Sequence, residues 1–332
     1  MVIPKMTYGL DVWYTPPTKL LGYRQNIGSL MAPRQLTKIQ RIATLAITGG
    51  LKSTPTDLLD AHAGVLPMDL VLQKICHRAL VRTATLPKSH PLQTITGKAA
   101  QTIPTTHKAP IDDLLRIFNI KPREFETVRP AATPLEYNPP FITKIVATRD
   151  ESMEFKCRDK NRLKIFSDGS RFEGKVGTAA ILYVDGQMVS ESTCSVEMGD
   201  NTTHTTYDAE LTGGVLAMWI LKMTRTRASN NISVYTDCQS IIKAAEYPKS
   251  RSGQTVLNEM ISIAREILGK IQLCWISGHT DVHSNEEADK QAKAASGGNS
   301  SKKPKLPLFL CGPMAKSASA EKQAYHEELK ES

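Results

Sequence analysis

KIFSDGSRFEGKVGTAAILYV, residues 164–184, carries an apolar run into an acid, Asp168, held between Ser167 and Gly169. A turn would account for the glycine, but not for similar acids further on in apolar settings. RLKIFSD reads as a strand that ends on its acid. GTAAILYVDGQMVSESTCSVEM reads as two strands joined by Asp185-Gly186, a hairpin signal. THTTYDAELTGGVLAMWILKMTR (203–225) predicts a long helix, despite Gly213-Gly214, and NISVYTD (231–237) a second strand that ends on an acid. CQSIIKAAEY and TVLNEMISIAREIL (255–268) predict helices, KIQLCWIS (270–277) a strand and SNEEADKQAKAAS (284–296) a last helix. The order is βββαβααβα: an antiparallel start, then crossovers that imply parallel pairing. The predicted fold class is α/β, a mixed five-stranded sheet flanked by helices.

Asp168 and Asp237 end their strands, and ligand sites in open α/β sheets lie beyond the carboxyl ends of strands. Glu210 sits near the start of the long helix among Ala209, Leu211 and Val215, and Asp289 lies on the last helix between Ala288 and Ala292. Taken singly, each acid reads as a turn former, a cap or an exposed helix residue. Taken together they suggest a cluster. Close carboxylates repel, so a cluster needs cations, and hard divalent ions with oxygen ligands suit it. Mg²⁺ suits a phosphate substrate in particular.

Four motifs in this order resemble type 1 ribonuclease H: SDGS (167–170), YDAEL (207–211), YTDCQS (235–240) and WISGHTDVHSNEEAD (275–289). The resemblance covers about residues 161–296 and implies a ribonuclease H-like fold. It implies that Asp168, Glu210, Asp237 and Asp289 are the catalytic metal ligands of two Mg²⁺ ions, with Mn²⁺ as a possible substitute, and that His279 assists turnover. Two such ions, about 3.5–4 Å apart, activate a water and stabilise a leaving oxygen. The partner implied is an RNA–DNA hybrid, cut in its RNA strand. Gly169, Ser170 and Gln239 are the candidate substrate-binding residues, because choosing RNA requires contact with 2′-hydroxyls. The family's loop usually reads GHxGIxGNExAD. Here Asp281 and Ser284 replace glycines and His283 is added, which puts the placing of His279 in question.

The rest of the chain has a different character. The 332 residues hold 42 Lys+Arg against 33 Asp+Glu, a formal +9, and suffice for two domains. Residues 1–150 contain 19 Lys/Arg and 10 Asp/Glu, while 151–332 contain 23 of each, so the whole excess lies in the first half and favours a polyanionic partner. Six scattered cysteines without a CxxC pair predict reduced thiols and an intracellular location, cytoplasm or nucleus, rather than secretion. No apolar run of about 18 residues exists, so no membrane span is predicted.

Residues 1–92 read as a small helical region. RQLTKIQRIATLAIT (34–48) aligns Leu36, Ile39, Ala43 and Ala46 on one stripe, and LPMDLVLQKICHRALVRTATLP (66–87) aligns Lys74, Arg78 and Arg82. Residues 93–160, rich in Pro and Thr, read as a linker with at most one short helix at 111–118. Residues 297–332 read as a flexible basic tail ending in a short helix. YGLDVW (8–13), residues 35–70 and LPKSHPL (86–92) resemble the segment after the polymerase palm in non-LTR retrotransposon reverse transcriptases. That likeness implies a retroelement polyprotein fragment, truncated before the palm. The competing readings are a catalytically impaired nucleic-acid-binding remnant and another nuclease of this fold acting on DNA.

Overall fold

The computed structural model describes residues 3–18, 28–102, 109–130, 137–224, 231–278 and 282–331. It divides into two compact units, Met1–Phe125 with Glu321–Ser332, and Glu126–Ala320.

The first unit is helical: α1 (Ile3–Met6), α2 (Leu10–Trp13), α3 (Met31–Thr48), α4 (Thr56–His62), α5 (Met68–Ala84), α6 (Pro91–Ala99) and α7 (Pro110–Ile117). Its core centres on α5, whose Leu72, Cys76, Leu80 and Val81 are buried, as are Leu10, Tyr14, Leu114 and Leu115. The ring of His77 stacks on Tyr325 at 4.0 Å and meets the edge of Phe118 at 5.5 Å. The stripe on α3 is not buried as its periodicity predicts. Ile39 is 45% exposed, and the residues this helix does bury are Pro33 and Thr44.

The second unit contains β1 (Phe141–Lys144), α8 (Arg149–Arg158), β2 (Leu163–Phe172), β3 (Lys175–Val184), β4 (Gln187–Asp200), α9 (Thr206–Met223), β5 (Asn231–Thr236), α10 (Gln239–Glu246), α11 (Gln254–Arg265), β6 (Lys270–Trp275) and α12 (His283–Ser296), and the chain continues into α13 (Ala318–Glu331). The strands form one mixed sheet in the order β1-β6-β5-β2-β3-β4. β2, β3 and β4 pair antiparallel, while β2–β5, β5–β6 and β6–β1 pair parallel. The five predicted strands are therefore present, and a sixth, β1, extends the parallel edge.

Strand periodicity explains the layers. Ile165, Leu182, Val234 and Leu273 enter one core with α9, α10 and α11. Their neighbours Phe166, Ile181, Tyr235 and Cys274 enter the other, joined by Val282 and Ala288 and flanked by Met153 and Phe155 of α8. Alternate side chains of a strand point to opposite faces, so adjacent apolar residues in each strand cover both.

Two stretches depart from the sequence reading. Residues 93–160, read as a linker with at most one short helix at 111–118, contain that helix as α7 but also carry β1 and α8. The tail after 297 does not stand apart: Leu306 and Leu310 are buried in the core under α9. All six cysteines are unpaired, and no helix among the described residues is long and apolar enough to cross a membrane.

Candidate active site

Register brings the two acids together, although Asp168 does not end its strand as the sequence predicts: pairing with β3 carries β2 on to Phe172. The last parallel pair between β2 and β5 is Phe166 with Tyr235. Asp168 and Asp237 each follow two residues later, so the two acids leave the same edge of the sheet side by side. Asp168 remains in β2, 6% exposed, with its carbonyl accepting a hydrogen bond from Thr178 Oγ1 at 2.9 Å. Asp237 stands just beyond β5, against Gly278, where a Cβ would lie 2.6 Å from Asp237 Oδ2.

Glu210 arrives from α9. That helix opens on a capping box in which Thr205 and Asp208 satisfy each other's backbone N–H groups. Its first turns press onto β2 at Gly169, where a Cβ would lie 2.4 Å from the backbone N of Glu210. Only glycine permits that approach. Carboxylate oxygens of Asp168, Glu210 and Asp237 all lie within 4.8 Å of one another. This is the one such group of potential metal ligands among the described residues.

Asp289, on α12, lines the same cleft but lies outside the tight group. Its carboxylate accepts from Lys293 Nζ, one helical turn on, at 2.6 Å. The cleft has a volume of about 720 Å³ and is also lined by Gly169, Ser170, Arg171, Thr206, Asn285 and Glu286.

The electrostatics follow from crowding. Burial, then the charges of Asp237 and Asp289, push the Asp168 carboxyl up to about 7. Burial, then Asp168 and Asp237, raise Glu210 well above the usual carboxylate range. Glu210 Oε2 is buried without a hydrogen-bond partner. An orphaned carboxylate oxygen aimed at two other acids costs free energy unless a proton or a cation satisfies it. The donor set, all carboxylate oxygen, fits a hard divalent ion.

The structure thus gathers Asp168, Glu210, Asp237 and Asp289 at one cleft, with Gly169 and Ser170 in its wall. Gln239 is not among the lining residues. It begins α10, half-buried, and its side-chain oxygen accepts from Lys243 at 3.3 Å. His279 and Asp281 lie outside the described residues. Arg171, Lys293 and Asn285 were not anticipated. Arg171 directly follows SDGS, and Lys293 stands at the i+4 spacing from Asp289 that pairs charges on a helix. Asn285, inside the quoted NEEAD motif, is buried with its Oδ1 lacking a partner.

Residues 160–297 match the RNase H family model. The match spans the strands and helices that carry the cleft, from β2 to α12. The observed sheet with helices on both faces is the ribonuclease H-like fold expected from the sequence, with one added strand. Among solved structures, the chain is similar to the N-terminal RNase H domain of a Mycobacterium tuberculosis protein, solved as a fusion with maltose-binding protein, at 15% identity. That similarity covers 41% of this chain and 95% of that one, with a TM-score of 0.34. It is similar to LC11-RNase H1, isolated from compost by a metagenomic approach and solved with an RNA/DNA hybrid, at 16% identity over 41% and 97% of the two chains, TM-score 0.35. RNase H1 of the halophilic archaeon Halobacterium salinarum is similar at 19% identity over 40% and 96%, TM-score 0.31. No curated protein matches the chain.

Proposed function

We propose that this protein hydrolyses the RNA strand of RNA–DNA hybrids at the cleft between β2, β5, α9 and α12. The observation that carries the reading is the convergence of Asp168, Glu210 and Asp237, with an unpartnered Glu210 oxygen, inside the stretch that matches RNase H. These three carboxylates, with Asp289 at the rim, would hold divalent ions, Mg²⁺ or in its place Mn²⁺. Such ions, once bound, lower the pKa of a coordinated water and stabilise charge on a leaving oxygen.

The chain's own groups do the rest. Burial and the closeness of three acids keep the acidic site short of positive charge until a cation arrives. Lys293 donates to Asp289 and places a positive charge beside the cleft. Arg171 offers a guanidinium for a substrate phosphate at the cleft wall. The missing side chain of Gly169 admits α9 rather than substrate, and the backbone of Gly169 and Ser170, in the cleft wall, is the candidate contact for a 2′-hydroxyl. Gln239, two residues after Asp237, is a further candidate contact, and His279, next in sequence after Gly278, is the candidate that assists turnover. The sequence likeness of residues 8–13, 35–70 and 86–92 supports an origin in a retroelement polyprotein.

The test is cleavage of labelled RNA–DNA hybrid, duplex DNA and duplex RNA, each with Mg²⁺ and with chelator. The reading requires cutting of the hybrid alone, and only with the metal. Cutting of duplex DNA would assign the site to a different polynucleotide hydrolase, and binding of hybrid without any cutting would make the domain a nucleic-acid-binding remnant.

A further inference from the structure

The stretch that matches RNase H ends at residue 297, yet the chain beyond it grips the helix that carries Glu210. Ser317 N donates to Thr203 O at 2.8 Å, and His204 Nε2 donates to Ala315 O at 3.1 Å. Thr203 and His204 directly precede the cap residue Thr205, so the tail holds the loop that launches α9.

A buried carboxylate ties this tail to the opposite side of the same turn. Glu126, 6% exposed, also precedes the family match. Its Oε1 accepts from Ala318 N at 2.9 Å and from Ser252 Oγ, and its Oε2 accepts from Gly253 N at 2.8 Å. Its own N–H donates to Lys316 O at 3.0 Å. Gly253 in turn presses on α9: a Cβ there would lie 2.7 Å from Leu211 Cδ1. Three segments distant in sequence, at 126, 252–253 and 315–318, thus meet on one carboxylate and bracket residues 203–211. A buried carboxylate with three donors is costly to place. It is more than the burial of one helix face needs, since Leu211, Val215 and Leu216 already supply that.

We propose that Glu126 is a positioning residue for Glu210: through Gly253 on one side and the 315–318 segment on the other, it fixes the first turn of α9 over the acidic cleft. Only its activity readout rests on the hybrid-nuclease reading.

The test uses the full chain and three variants. Glu126→Gln keeps the volume and the Oε1 bonds but sets an amide N–H₂ against the Gly253 N–H. Ser252→Ala removes the hydroxyl that donates to Glu126 Oε1, together with its contacts to Ser317 Oγ and Ser319 N, and serves if the first variant fails to fold. Ile271→Ala, in β6, is the control, and variants are compared at equal loss of melting temperature. Amide exchange over residues 206–211 is expected to run about tenfold faster in Glu126→Gln than in the control. With hybrid at saturating Mg²⁺, kcat is expected to fall about tenfold while KM stays within about twofold. Ser252→Ala should move both in the same direction by less. Exchange over 206–211 that matches the control would overturn the proposal. If the unmodified protein cuts no hybrid, the nuclease reading fails, and the exchange comparison still decides the clamp.

Discussion

Replacing Glu210 by Gln should stabilise the metal-free protein. The side chain keeps its volume, loses its charge, and gains a donor that can reach the neighbouring acids. Removing one of three crowded acids is worth about 1 kcal/mol or more, so the melting temperature in chelator should rise while Mg²⁺-dependent hybrid cleavage is lost. A fall in melting temperature would show that Glu210 is stabilised by neighbours rather than strained by them. The pH dependence has a definite sign. Asp168 is raised from the ordinary 3.8 to about 7, so the folded state retains a proton that the unfolded chain has released. Its contribution is fully present below about 3.8 and is lost as pH rises toward 7. At ~1.36 kcal/mol per pKa unit, this is on the order of 4 kcal/mol for a fully dry site. The melting temperature in chelator should therefore fall as pH rises from about 4 to about 7, and Mg²⁺ should remove most of that slope; a flat profile in chelator would contradict the crowding. Asp168, Glu210 and Asp237 were legible because an acid in an apolar run conflicts with its surroundings. The Lys293–Asp289 pair was not, because a Lys on a polar helix conflicts with nothing.

Between elements, the site depends on how closely α9 approaches β2. Gly169→Ala would put a methyl 2.4 Å from the backbone N of Glu210 and 2.7 Å from the carbonyl carbon of Ala209, and neither can rotate away. The helix must shift, at a cost of about 1–3 kcal/mol. A displacement of about 1 Å at a catalytic group costs on the order of 100-fold in rate. Hybrid cleavage by Gly169→Ala should fall by that order while most of the fold survives, as circular dichroism and melting would report. Thr205→Ala removes the cap of α9 and should cost about 1 kcal/mol in unfolding free energy. The strands and helices from 163 to 296 were readable because each is long and periodic. β1 was not: FITK is four residues after a Pro-rich run, and its pairing comes from β6, about 130 positions away. α8 buries only Ser152, so no apolar stripe announces it. Its cap went unread: Thr148 Oγ1 accepts from Glu151 N, and the Glu151 carboxylate accepts from Ala147 N.

At the scale of the molecule, residues outside the RNase H match complete the second unit. Leu310, 6% exposed, lies in the core beneath α9, so Leu310→Ala should destabilise by about 2–5 kcal/mol, measured by urea unfolding. A tail that hung free would show no loss. The tail looked flexible in sequence because GGNSSKKPKLP is polar and basic, yet its backbone and serines bond to β4, and Leu306 and Leu310 add an apolar anchor. The charge excess of the first half was plain in the sequence, but the exposed face of α3 was not, since periodicity marks an apolar face without saying what covers it. The second unit brings three acids from distant parts of the chain to one sheet edge. Anomalous scattering from crystals grown with Mn²⁺ tests it most directly. The account predicts a peak bounded by carboxylate oxygens of Asp168, Glu210 and Asp237, absent in Glu210→Gln. A saturated crystal with no peak there, or with its Mn²⁺ bound elsewhere, would contradict it.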